Sequence, residues 1–270
     1  MKIGLSTLLF PQGSPEKGIS LANDLDLDCI EIIFDIPHFF PESNLEKVRE
    51  LKEKIDSSGL RTRVHGRFWD LNPISQYPEL RDTTLEQEKE SIKACNILDG
   101  DVVTIHPGRC WVRDNEKLFQ KCKNWFIEYL DNLAQYAHEK GISLGLETGS
   151  HPADYPSIPE ELLDVVQDRD EVGITLDIGH VFLHGQERGL GTDWVVRLIE
   201  MFDDELVNVH LHDNHGQRDE HLPLNHGSID FDSILKALSE HYDDTLILEL
   251  WDLSDSTEDV KESVEYLRNF

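Results

Sequence analysis

Short β-branched runs alternate with amphipathic helical stretches eight times along the 270 residues, and this alternation constrains the fold more than any other property of the chain. The runs fall at residues 3–8, 29–35, 62–65, 101–106, 142–148, 172–177, 207–212 and 246–250. Helical periodicity is read between them: over 16–25, from Ser43 to Gly59, through Leu85, Glu88, Ile92 and Cys95, from Leu118 to Gly141, and over 160–167, 193–201, 232–238 and 258–267. The clearest stretch sets Leu118, Cys122, Trp125, Phe126, Tyr129, Leu133 and Ala137 on one face of a 3.6-residue period. Ser43, with Glu46 three residues on, reads as a capping box, and Gly59 and Gly141 read as helix ends. Strands that alternate singly with helices run parallel, because each helix carries the chain back to the end where the last strand began. Eight such units predict one α/β domain over 1–270, a (β/α)8 TIM barrel. No repeat, linker or low-complexity tract interrupts the pattern.

In such barrels chemistry sits where the strands end at their C-terminal face. His65, His106, Glu147, Asp177, His210 and Glu249 stand at or near the ends of the third to eighth runs, most of them after mostly apolar residues. Six polar side chains at one rim are costly to bury unless something shared binds them, and a metal is the economical partner. The stretch from Val207 to Phe231 is especially rich in imidazole and carboxylate, the ligand set of Zn, Mn, Fe and Co sites. Within it, His210 and His212 lie one pleat apart on the same face of a strand. His180, three residues after Asp177, and the Asp219-Glu220-His221 segment add Asp219, His180 and His221 to the candidates. Nine ligands exceed the coordination of one ion, so either two or three ions are held or some of the nine contact substrate.

The formal net charge is −29, with 25 Lys and Arg against 54 Asp and Glu. Such a chain is not expected to bind duplex DNA, since each phosphate contact needs a cation, and the acids are expected to serve solubility. Asp35, Glu42, Asp70, Asp154, Glu187, Asp213, Asp219 and Asp252 are expected around the mouth. Arg67, Arg109 and Arg218 are candidates to bind a substrate phosphate or hydroxyls, and Phe39, Phe40, Phe68 and Trp69 to wall the pocket. No run of about 18 apolar residues exists to cross a membrane. The opening Met-Lys-Ile-Gly-Leu-Ser-Thr-Leu-Leu-Phe-Pro lacks the apolar core of a signal peptide, and Cys29, Cys95, Cys110 and Cys122 form no Cys-x-x-Cys pair. A cytoplasmic protein with reduced, inert thiols is the expectation.

His106-Pro107-Gly108, Glu147-Thr148, Asp177-Ile178-Gly179-His180, His210-Leu211-His212-Asp213-Asn214, Asp219-Glu220-His221-Leu222-Pro223 and Glu249 together resemble the xylose isomerase-like TIM barrel superfamily. That superfamily includes sugar phosphate isomerases and epimerases and the endonuclease IV family. Resemblance to the first branch implies one divalent ion (Mn, Zn, Co or Mg) on Glu147, Asp177, His210 and Glu249, with His180 and Arg218 contacting a sugar or sugar phosphate. Glu147 and Glu249 then form the acid/base pair for proton transfer through an enediolate, since they end the fifth and eighth runs on different sides of the mouth. Resemblance to endonuclease IV extends to all nine positions and implies two or three Zn ions hydrolysing a phosphodiester, in abasic-site DNA or a small molecule. The turn Leu224-Asn225-His226-Gly227 departs from the Gly-Glu-Gly type frequent in the superfamily. A binding barrel without catalysis is a third class, requiring a mouth closed by side chains. Either enzyme is compatible with an oligomer.

Overall fold

The computed structural model describes residues 1–41, 45–251 and 257–270, and its strands are β1 (Lys2–Ser6), β2 (Cys29–Ile33), β3 (Arg61–His65), β4 (Val102–Ile105), β5 (Gly108–Arg109), β6 (Ser143–Glu147), β7 (Asp154–Tyr155), β8 (Val172–Asp177), β9 (Leu206–Leu211) and β10 (Thr245–Leu248). Eight of them close into a barrel in the order β1-β10-β9-β8-β6-β4-β3-β2. All its pairings are parallel, and β1 bonds β2 on one side and β10 on the other, so the barrel leaves no open edge. The eight expected runs correspond to these eight strands. The short pair β5 and β7 is additional: it is antiparallel, with Arg109 opposite Asp154, and it stands over the mouth.

The helices are α1 (Pro15–Asp24), α2 (Glu46–Ser58), α3 (Pro78–Ile97), α4 (Glu116–His138), α5 (Pro159–Val166), α6 (Ile178–Glu187), α7 (Thr192–Phe202), α8 (Phe231–His241) and α9 (Glu258–Asn269). The helical stretches read from sequence did not include α6. The α6 helix forms because Ile178, Val181 and Phe182 bury one face while Asp177 caps its first turn through the amide of His180. On α4 the expected stripe is buried at Cys122, Phe126, Tyr129, Leu133 and Ala137, with Leu118 and Trp125 half-buried at its margin. Each large apolar side chain on that stripe contributes about 1.5–3 kcal/mol. Gly59, at φ 75°, ends α2 as expected, whereas Ser43 of the expected capping box lies outside the described residues.

The interior of the barrel is polar along its axis. Glu31, Arg63, Thr104 and Asn208 are buried and meet there from four strands. Arg61 and Arg63 close the N-terminal end against Asp101 and Asp244. Apolar packing therefore concentrates between the strands and the surrounding helices. Among the described residues no helix is long and apolar enough to cross a membrane. All four thiols are free and buried, yet Cys110 and Cys122, scattered in sequence, bring their Sγ atoms within 2.9 Å.

Candidate metal centre

The ends of β3, β4, β6, β8, β9 and β10 deliver the six expected side chains to one face of the barrel. Three groups of donors adjoin there, the ligand atoms within each lying within 4.8 Å of one another: His65, His106 and Glu147; Glu147, Asp177, His210 and Glu249; and His180, His212, Asp219 and His221. Glu147 belongs to two groups. Its Oε2 lies 2.7 Å from Nε2 of His106 and 3.6 Å from Nε2 of His65, and its Oε1 lies 3.0 Å from Nδ1 of His210. Glu249 Oε2 approaches the same Nδ1 at 3.3 Å, and Asp177 Oδ2 at 3.9 Å. In the third group Asp219 Oδ2 is 3.0 Å from Nε2 of His180 and 3.3 Å from Nε2 of His221.

The histidines suit metal ligation by their outward bonds. A ligating imidazole is neutral, with one nitrogen donating its proton away from the ion and the other aiming a lone pair at it. His65, His180 and His221 each place Nδ1 on a backbone carbonyl, those of Gly66 (2.9 Å), Thr148 (2.9 Å) and Glu249 (2.7 Å). Carbonyls only accept, so Nδ1 carries the proton and all three Nε2 atoms face the carboxylates. Glu147, Asp177, Asp219 and Glu249 concentrate negative charge in this buried space, and protons on the histidines or divalent cations answer it. Burial opposes charging His65 and His221, but Glu147 beside the first and Asp219 beside the second outweigh it and lift both to about 9. His180 and His210 rise likewise against their burial, and Glu147, Asp219 and Glu249 fall below the carboxylate range despite theirs, because imidazoles contact each.

Above the centre opens a cavity of about 600 Å³. Of the candidate substrate contacts, Trp69, Arg109 and His180 line it, together with Phe68, Asn72, Trp111 and Trp251. Arg109 Nε bonds Asp154 Oδ1 at 3.0 Å. Arg67 and Arg218 are not brought to the wall. The Arg67 side chain is buried against the Phe34 ring and bonds Gln87, while Arg218 stands 80% exposed beside Glu220. Phe39 packs on Phe34 below the mouth, and Phe40 points to solvent. Of the acids expected around the mouth, Asp70, Asp154 and Asp219 line the cavity, and Glu42 and Asp252 lie outside the described residues. Asp35 and Asp213 are buried and hold backbone instead: Asp35 accepts from Phe68 and Trp69, and Asp213 from Asn214, Gly227 and Ile229.

A family model described as xylose isomerase-like TIM barrel matches residues 19–270. The chain belongs to that family. An uncharacterized protein of Methanocaldococcus jannaschii is 30% identical over 278 residues, 99% of this chain and 89% of that one. The crystal structure of a D-tagatose 3-epimerase-like protein superposes with a TM-score of 0.82 at 28% identity, covering 100% of this chain and 99% of that one. A probable endonuclease 4 of Mycoplasma capricolum is 25% identical over 160 residues, 55% of this chain and 53% of that one.

Two residues of this barrel's centre escaped the reading from sequence. His212, noted for its parity with His210 but not counted as a ligand, reaches Asp177 Oδ1 at 3.0 Å and stacks on His221 with centroids 3.8 Å apart. Its place depends on Gly179, where a Cβ would stand 2.0 Å from the His212 ring. Glu31 lies fully buried against His210, and the available signal was one acid inside the apolar run Cys29–Ile33.

Proposed function

We propose that the protein is a divalent-metal-dependent isomerase or epimerase of a sugar or sugar phosphate. The carrying observation is that, of Glu147, Asp177, His210 and Glu249, the two glutamates line the cavity, whereas Asp177 and His210 lie beneath. Two carboxylates from separate strands thus flank one space, at 3.0 and 3.3 Å from the same imidazole nitrogen. Such a pair suits moving a proton on and off carbon beside a carbonyl: one carboxylate removes the proton and the other returns it at the neighbouring carbon or the opposite face. Mn, Zn, Co or Mg on these four residues supplies a Lewis acid that polarises the carbonyl. Phe68 and Trp69 offer a flat apolar wall for a sugar ring, and Arg109 a cation for a hydroxyl or phosphate. The likeness to the D-tagatose 3-epimerase-like structure supports this reading.

A second reading, hydrolysis of a phosphodiester at two or three zinc ions, is favoured by one observation: Glu147 is shared with the His65–His106 group, and the His180–Asp219–His221 group adjoins. The partial likeness to the probable endonuclease 4 supports it. Elemental analysis of protein purified without added metal, paired with a panel of keto- and aldo-sugars and their phosphates in D2O, separates the two. One ion per chain with deuterium entering beside a carbonyl is the expected result. Two or three zinc ions, cleavage of a bis-aryl phosphodiester and no deuterium uptake would replace the first reading with the second.

A further inference from the structure

Beneath the centre a chain of side chains crosses the barrel axis. Arg63, fully buried, donates from Nη2 to Asp244 Oδ2 at 2.7 Å and from Nη1 to Asn208 Oδ1 at 2.5 Å. A guanidinium only donates, so this bond assigns the Asn208 amide: its oxygen faces Arg63 and its nitrogen faces the other way. The two protons on that nitrogen go to Glu31 Oε2 at 2.9 Å and Thr104 Oγ1 at 3.1 Å. Both Glu31 oxygens lie 3.1 Å from Nε2 of His210. Asn208 Nδ2 also lies 3.1 Å from that Nε2, but its protons are committed, and a carboxylate facing a bare lone pair would be repelled. Nε2 therefore carries the proton and donates to Glu31. Nδ1 is left with its lone pair toward Glu147, Asp177 and Glu249.

We propose that Glu31 is a positioning residue for the metal centre: the donor-only Arg63 sets the direction of every bond in the column Arg63–Asn208–Glu31, and the column fixes His210 in the tautomer that presents Nδ1 to the ion. Glu31 is no ligand, since it meets the ring on the side away from the other carboxylates. The assignment rests on an ion being held by Glu147, Asp177, His210 and Glu249, which both reactions considered above share, and not on which of them occurs. Carboxylate support of this kind raises the basicity of a ligating imidazole and restricts its rotation, and its loss typically costs about 10–100-fold in metal affinity.

The test measures zinc affinity by chelator competition in the full chain and in Glu31→Gln, with thermal unfolding of both metal-free proteins. The expected result is about a 10–100-fold weaker zinc site, an altered Co(II) absorption spectrum, and little change in the metal-free midpoint. Unchanged zinc affinity would overturn the assignment. So would a loss of stability shared equally by metal-free and zinc-loaded protein with the Co(II) spectrum intact, the mark of a merely structural role. Should Glu31→Gln not fold, nitrogen-15 spectra of the histidine rings in zinc-loaded wild type decide: protonated Nε2 on His210 is expected, and protonated Nδ1 refutes it. Absence of isomerase turnover in the metal-loaded wild type, alongside a weakened zinc site in Glu31→Gln, would remove the proposed reaction and leave this assignment standing.

Discussion

Glu147 joins two of the donor groups, since His65, His106 and His210 all reach it. An amide in its place neither accepts a proton from carbon nor holds a cation as well. Glu147→Gln and Glu249→Gln are each expected to lower turnover by roughly two to four decades while the barrel stays folded, read from steady-state rates beside circular dichroism. Near-wild-type turnover in either variant would remove that residue from the mechanism. The histidines predict a pH dependence. With His65 and His221 lifted to about 9, the zinc ions that the second reading places on them must displace their protons at any lower pH. Zinc affinity of those two groups is therefore expected to fall as pH drops from about 9 to 7, well before the unperturbed histidine range near 6.5. The sign for stability without metal is opposite to that for affinity. A raised folded pKa contributes stability that is complete below about 6.5 and is lost as pH rises through about 9, so metal-free protein should melt lower at pH 9 than at pH 6.5. A zinc titration flat between pH 9 and 7 would exclude ligation by these two histidines.

Among the elements, the loop after β3 depends on the loop after β2. Phe68 and Trp69 present their rings to the cavity because Asp35 Oδ2 accepts both of their amides, at 2.7 and 2.9 Å. Asp35→Ala would strand those two amides, at a cost of about 1–3 kcal/mol for each that stays buried and unpaired. The outcome expected is a higher KM or ligand Kd with a smaller change in kcat, since Asp35 touches the wall and not the reacting carboxylates. A lower thermal midpoint and altered tryptophan emission should accompany it. A selective loss of kcat would show instead that the loop takes part in chemistry.

For the whole molecule the excess of acids dominates. Mutual repulsion at a net charge of −29 opposes the compact state, and raising salt from about 0.1 to 1 M shortens the screening length from about 10 to 3 Å. The thermal midpoint is expected to rise over that series, and a flat or falling midpoint would mean that the acids are already neutralised in ion pairs. The same charge argues against long polyanions. Asp70, Asp154 and Asp219 line the cavity, and Arg109 is its one Lys or Arg among the described lining residues. No specific nicking of abasic duplex DNA is therefore expected at about 0.15 M salt, because counterion release needs cations beside phosphates. Efficient nicking there, with the sugar panel silent, would reverse the ranking of the two functions.

The sequence by itself determined the barrel and its rim. Strand parity and helical period are local properties of the chain, and the C-terminal end of a strand is recognisable wherever a polar residue stops an apolar run, as at His106, Glu147 and Asp177. Tertiary structure alone decided which polar groups share a space. Arg67 and Arg109 look alike in sequence, yet one packs under Phe34 and the other lines the cavity, because loop course rather than composition aims a long side chain. Asp213 and Asp219 sit six residues apart, and one ties down backbone while the other joins His180 and His221. Glu31, Arg63 and Asn208 belong to strands distant in sequence and become one column only when the barrel closes and brings their inward faces together. Contacts across a closed barrel leave no period along the chain to read.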